Sequence, residues 1–258
     1  MTIRDSIYFK YRGEYSKHYG ILNVQIGGMA TDMYNEPFLP NRELNEVMVR
    51  GRVKPYHQDI QKEPLEFSLS FAFDNRFSER LIRRTARWLS PDYYQELIFS
   101  NNPSRIFYAM PVQQSEFIHN GLKQGYLNLT FRCNSAYSYG NVYVSHVYES
   151  DTNGKYINFK NNGDLNIYPE IVLEKVGSGD ISIKNLSDGG KEMIFEDLED
   201  EEVVYIDNEE EEIKTNIENK YRFDNHNDVF LKMLKGINKI KMQGEFKLKF
   251  RWQPILLQ

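Results

Sequence analysis

Residues 65–73, LEFSLSFAF, put Leu65, Phe67, Leu69, Phe71 and Phe73 at every second position with polar or small residues between them. Strict period-two alternation predicts a strand with one buried face. The period then changes: over 76–89, Phe77, Leu81, Thr85, Trp88 and Leu89, with Ala86, recur at helical spacing behind Asp74 or Ser78 as a cap. Ser90-Pro91 stops that pattern, because the residue before a proline is pushed out of the helical region. Extended runs lie on both sides: SIYFKY (6–11) and ILNVQIGG (21–28) before the helix, and YQELIF (94–99), RIFYAM (105–110) and YLNLTF (126–131) after it. Strands on either side of a single helix predict an α+β sheet with the helix laid over its apolar face.

One segment breaks this rhythm. Residues 29–64 carry Pro37, Pro40, Pro55 and Pro64 among charges, with Tyr, Phe and Met recurring, and the run VMVRGRV (47–53) reads as a strand. So long a polar excursion predicts a projecting arm that becomes ordered on a partner. Interfaces favour Arg and Tyr anchors, which singles out Arg50, Arg52 and Tyr56 as candidate subunit contacts.

From residue 141 onward the strands shorten and crowd: YINF, EIVLEK, DISIKN, EMIFE, VVYID, EIKTNI, NKIKMQ and EFKLKFRW, divided by Gly-Asp, Ser-Gly, Asp-Gly-Gly and Asn-Glu turns. Turn signals roughly every ten residues predict a β-sandwich or jelly roll. Pro169 marks a strand start or an edge, and Gly177-Ser178-Gly179 reads as a hairpin turn. The change of pattern places a domain boundary at 136–142, giving domains of 1–138 and 141–252.

Composition sharpens the division. Residues 1–140 carry a net +3 and residues 141–258 a net −8, within a chain of −5. Neither half shows a dense basic stripe for a phosphate backbone, so nucleic acid is not an expected partner. The longest apolar runs fall well short of the roughly 18 residues that cross a membrane, and the amino terminus lacks a signal-like apolar stretch, so a soluble, cytoplasmically made chain is expected. The single cysteine, Cys133, lies in an alternating run and reads as a core residue.

Candidate chemistry is sparse. His18, His57, His119, His146 and His226 are scattered without metal-ligand spacing, and no GxSxG elbow is present. Residues 192–212 hold twelve Asp and Glu, which read as a solvated rim rather than a glycosidase pair, since a catalytic acid needs a desolvated site. Asp197, Asp200, Asp207 and FDNHND (223–228) offer oxygen ligands for calcium without a DxDxDG loop. No cofactor, metal or enzymatic activity is expected.

Several stretches, taken in order, resemble the distal tail protein (Dit) family of long-tailed bacteriophages, the siphophages. FKYRGEYSKHYGILNV (9–24) is similar to that family's opening pattern, and WLSPDYYQELIFSNNPSRIFYA (88–109) to its helix end and following hairpin. FRCNSAYSY (131–139) resembles its domain junction, with Ala136 where a proline is common; GDLNIYPEIVLEKVGSGDISIKN (163–185) and LKGINKIKM (234–242) resemble its carboxy-terminal sandwich. The resemblance implies a tail-tube-like first domain, a β-sandwich or barrel with one helix, that forms a hexameric ring whose arm embraces the neighbouring subunit. It also implies a galectin-like jelly-roll second domain, and a last strand, 253–258, that returns to the first domain. The implied role is a hub at the distal end of the virion tail. Its partners would be the tail-tube protein and tail-tip proteins, receptor-binding proteins among them. A carbohydrate-binding module is the alternative, with Tyr148, Tyr156, Tyr168 and Tyr205 as its platform.

Overall fold

The computed structural model describes residues 6–24 and 40–257, with the backbone alone at 113–115. The chain divides into two compact units, Met1–Tyr139 with Leu257–Gln258, and Gly140–Leu256. It is mainly β. The single α-helix among the described residues is far too short to cross a membrane.

The first unit contains β1 (Phe9–Tyr11), β2 (Glu14–Tyr15), β3 (Ile21–Val24), β4 (Arg42–Val47), β5 (Tyr56–Lys62), β6 (Glu66–Phe73), α1 (Glu79–Leu89), β7 (Gln95–Phe99), β8 (Ile106–His119), β9 (Gly125–Cys133) and β10 (Ser138–Tyr139). All the strands except β4 and β5 join one antiparallel sheet in the order β2-β1-β7-β8-β9-β6-β3, with β10 beside β8. The alternation of β6 holds: Phe67, Leu69, Phe71 and Phe73 are buried. Its outer face pairs polar groups with β9, where Ser68 and Thr130 hydroxyls lie 3.0 Å apart, Ser70 donates to Asn128 over 2.9 Å, and Arg132 meets Glu66 at 3.2 Å. Strand β8 runs well past the expected 105–110. Pro111 sits within it opposite Phe131 without a change of register, and the ladder shifts only further on, between Val112 and Glu116.

The helix starts three residues later than its pattern predicted. Ser78, not Asp74, is its cap: the Ser78 hydroxyl accepts from the Leu81 N–H at 3.2 Å. Asp74 instead ends β6, its N–H bonded to the Gly20 carbonyl at 2.8 Å. Gly20 has φ of 61°, the left-handed region that favours glycine, and a Cβ there would displace the Asp74 carboxylate. Thr85, Trp88 and Leu89 face the sheet, whereas Ala86, expected on the buried face, is exposed.

Trp88 fastens the helix. Its ring stacks on Tyr19 at 4.1 Å and on Phe9 at 5.6 Å, and its indole N–H donates to the Tyr11 carbonyl at 3.0 Å. Arg12 donates to the Arg87 and Trp88 carbonyls, two of the groups that a helix end leaves unsatisfied. Trp88→Ala is expected to destabilise the first unit by about 3–5 kcal/mol, from lost burial and an orphaned carbonyl, as read by urea unfolding. Cys133 is fully buried, and burial, with Glu66 nearby, pushes its thiol up to about 12, in keeping with an inert core position.

The second unit contains β11 (Tyr143–Val144), β12 (Tyr148–Ser150), β13 (Lys155–Asn161), β14 (Glu170–Lys175), β15 (Gly179–Asn185), β16 (Lys191–Leu198), β17 (Val203–Asp207), β18 (Glu212–Thr215), β19 (Gly236–Gln243) and β20 (Phe246–Trp252). One sheet has the order β11-β20-β14-β17-β18, with β12 beside β20; the other has β13-β19-β15-β16. Between them Ile171, Leu173, Ile183, Phe195, Met242 and Phe250 anchor a continuous apolar core. The Gly177-Ser178-Gly179 turn is not a hairpin, because β14 and β15 belong to different sheets. It carries the chain across the sandwich, held by the Gly177 N–H on the Asp200 carboxylate at 2.6 Å.

A buried ion pair pins the loops at one end of this sandwich. Arg222 and Glu202 side chains are 1% and 0% exposed and bond twice, one contact being Nε to Oε1 at 2.7 Å. Glu202 also accepts from Thr215 at 2.6 Å and from the Glu199 N–H at 3.0 Å, and Arg222 donates further to the Asp197 carbonyl and to Asn225. Both carboxylate oxygens of Glu202 therefore accept and four of the five guanidinium N–H groups of Arg222 donate, as a buried charge pair requires.

Candidate functional site

Strands β4 and β5 pair only with each other, in register from Arg42 opposite Lys62 to Val47 opposite Tyr56, with an irregularity at Asn45/Glu46. The hairpin is fastened at its root, where Asn41 and Glu63 bond through backbone and side chain and Lys62 donates to the Tyr137 hydroxyl. Beyond that root it stands free: every residue of β5 and all of β4 but Asn45 are exposed. An isolated two-stranded hairpin is marginal in water, and this one displays Leu44, Val47, Met48, Val49, Val53, Tyr56 and Ile60 to solvent. Val53 is 95% exposed and Met48 64%. Such a surface is stable only when covered.

The run VMVRGRV is mostly not a strand. Only Val47 belongs to β4, and 48–55 form the tip, with Gly51 at φ 92° where the chain reverses. Arg50, Arg52 and Tyr56 all lie at this tip and are exposed, and the Arg52 guanidinium sits 4.0 Å above the Tyr56 ring. The structure thus brings these three interface candidates together. The part of the expected arm that precedes Pro40 lies outside the described residues, as do residues 25–28 of the ILNVQIGG run.

The four tyrosines of a sugar platform are not brought together. Tyr148 turns inward, packed on the core and 4.1 Å from the His146 ring. Tyr156 lies on the outer face of β13, since Ile157 and Phe159 face the core, with the Lys239 ammonium 5.3 Å over its ring. Tyr205 lies on the outer face of β17, in the opposite sheet; burial and a hydrogen bond to Glu170 push its hydroxyl up to about 12. Tyr168 is exposed in the loop before β14. Outer faces of two stacked sheets point apart, so these side chains cannot line one groove.

Nor do the calcium candidates converge: the Asp200 and Asp207 carboxylates accept from backbone N–H groups of Gly177, Glu209 and Glu210, and the described residues contain no cluster of three or more metal-ligating side chains.

One feature escaped the sequence reading. The expectation of no dense basic stripe is corrected by α1, whose Arg80, Arg83, Arg84 and Arg87 fall at i, i+3, i+4 and i+7 and share one exposed face. The signal was present in ERLIRRTAR but was absorbed into the search for the helix's apolar face.

Residues 4–135 match the family model for a phage tail protein N-terminal domain, and 136–252 that for a phage tail C-terminal domain. The chain belongs to this phage tail protein family. It is 32% identical over 253 residues to the SPbeta prophage-derived protein YomH of Bacillus subtilis (strain 168), covering 97% of this chain and 99% of that one. Among solved structures it is similar to SPP1 Dit, a hub of the adsorption apparatus in Gram-positive infecting phages, with a TM-score of 0.71 at 15% identity over 95% of this chain and 98% of that one. It is also similar to a chain of the phage P2 baseplate in its activated conformation, with a TM-score of 0.52 at 8% identity over 96% and 97%. At these identities what is shared is the fold, mostly β with one helix among the described residues.

Proposed function

We propose that this phage tail protein is a structural hub at the distal end of the tail, six copies of which close into a ring joining the tail tube to the tail-tip and receptor-binding proteins. The observation that carries the reading is the free-standing β4–β5 hairpin, whose apolar tip is left exposed by the described residues. A projecting element that seats on the next copy forms a head-to-tail contact, and such contacts close into rings when the rotation allows. The Dit-like fold along 95% of the chain supports the placement. The role is adhesive and architectural, without catalysis. Immunogold labelling of intact virions tests the placement: gold confined to the tail end away from the capsid is expected, and gold spread along the tube would contradict it.

A further inference from the structure

The arginine face of α1 is costly to keep. Like charges three and four residues apart on a helix repel, and Arg80, in the first turn, also opposes the helix dipole. None of the four arginines forms an ion pair among the described residues; Arg84 alone has a partner, the Tyr19 ring 4.6 Å away. The four side chains are exposed and unpaired with carboxylates among the described residues, so the face is open to an anionic partner.

The second unit supplies the complementary surface. Between β17 and β18 the turn presents Glu209, Glu210 and Glu211, all exposed and without a basic partner among the described residues. Glu211 occupies φ 54°, a left-handed conformation where glycine or asparagine would be the easier choice. Burial and the neighbouring Asp207 and Glu210 charges raise the Glu209 carboxyl above its ordinary value, so the turn gains from any cation set against it.

We propose that the four-arginine face of α1 docks on the acidic β17–β18 turn of a second copy of this chain. The occupant is a second copy rather than a polyanion, because a chain of net −5 whose second half carries −8 repels a phosphate polymer while offering the matching carboxylates itself. The contact is heterologous, like the arm's, and it rests on the hub reading only in needing a second copy. It goes beyond that reading in joining first unit to second and in being governed by salt.

The test measures self-association of the full chain by mass photometry in low and high salt. It compares the parent with R80E/R83E/R87E, with E209K/E210K/E211K, and with the two sets combined. Each triple reversal is expected to weaken association about 30-fold at low salt, and the combined swap to restore it. Helical circular dichroism should be unchanged, since Glu at position 80 suits a helix N-terminus. Parent assembly that ignores both reversals, or a swap that fails to rescue, overturns this inference alone. A parent that stays strictly monomeric in low salt overturns it, while the ring is then judged with the tail-tube protein present. Binding of a labelled DNA duplex that R80E/R83E/R87E loses, with self-association untouched, assigns the stripe to nucleic acid and overturns it as well.

Discussion

A chain in which Val49 and Val53 are both replaced by Asp is expected to remain monomeric at concentrations where the parent assembles. Both residues sit at the exposed tip of the hairpin, and burying a valine on association is worth about 1.5–3 kcal/mol. With Val53 95% and Val49 44% exposed, the two together offer roughly 2–4 kcal/mol, or about 30–10³-fold in dissociation constant, before the cost of desolvating the new carboxylates is added. The same substitutions leave the subunit's own thermal midpoint nearly unchanged, because neither side chain packs on its core. Size-exclusion light scattering beside a melting curve separates the two effects. Assembly that survives the double substitution would show that the arm does not hold the subunits together.

Arg222→Met is expected to destabilise the second unit by about 3–5 kcal/mol, because Glu202 is left charged, buried and without its counterion. Urea unfolding of the full chain, followed through Trp252 in a Trp88→Phe background, reads this unit. Adding Glu202→Leu is expected to recover most of the loss, since an apolar pair needs no mutual neutralisation. The pair also predicts an acid limit. Burial alone would raise the Glu202 carboxyl, but hydrogen bonds from Arg222, Thr215 and the Glu199 N–H outweigh it and hold the group below the ordinary carboxylate range. Its stabilisation is therefore complete above that range and is lost as pH falls through the lowered folded value. In Arg222→Met the group loses its main hydrogen-bond donor, so acid unfolding should begin at a higher pH than in the parent.

Much of this architecture was legible because its strands alternate cleanly. In β6 each inward position is apolar and each outward one polar or small, and in β14 and β17 Ile171, Leu173, Val204 and Ile206 alternate inward in the same way, so a period of two reported the fold directly. Legibility failed where a local rule met a tertiary one. The expected run RIFYAM stops at Met110, yet β8 continues through Pro111 to His119, with a register shift beyond Val112. The apolar run VMVRGRV looked like a strand, yet it caps an arm whose apolar residues face water. Ser178 sits between glycines as in a hairpin, but β14 takes its partners 29 to 81 residues away, in β17 and β20, while β15 pairs with β16 and β19 in the other sheet. The Arg222–Glu202 pair was invisible for the same reason: twenty residues separate the charges, and each looks like a surface residue until the loops close over it. The arm candidates were found through interface preference, whereas the arginine face of α1 needed the helix drawn as a wheel and its polar side considered.

The central claim is that this chain works by closing a circle of identical subunits. Electron microscopy of the purified full-length protein, alone and with the tail-tube protein, tests it most directly. The account predicts class averages with sixfold symmetry, and particles of about 184 kDa, six times the 30.6 kDa subunit. Solitary particles of subunit size under both conditions would contradict it.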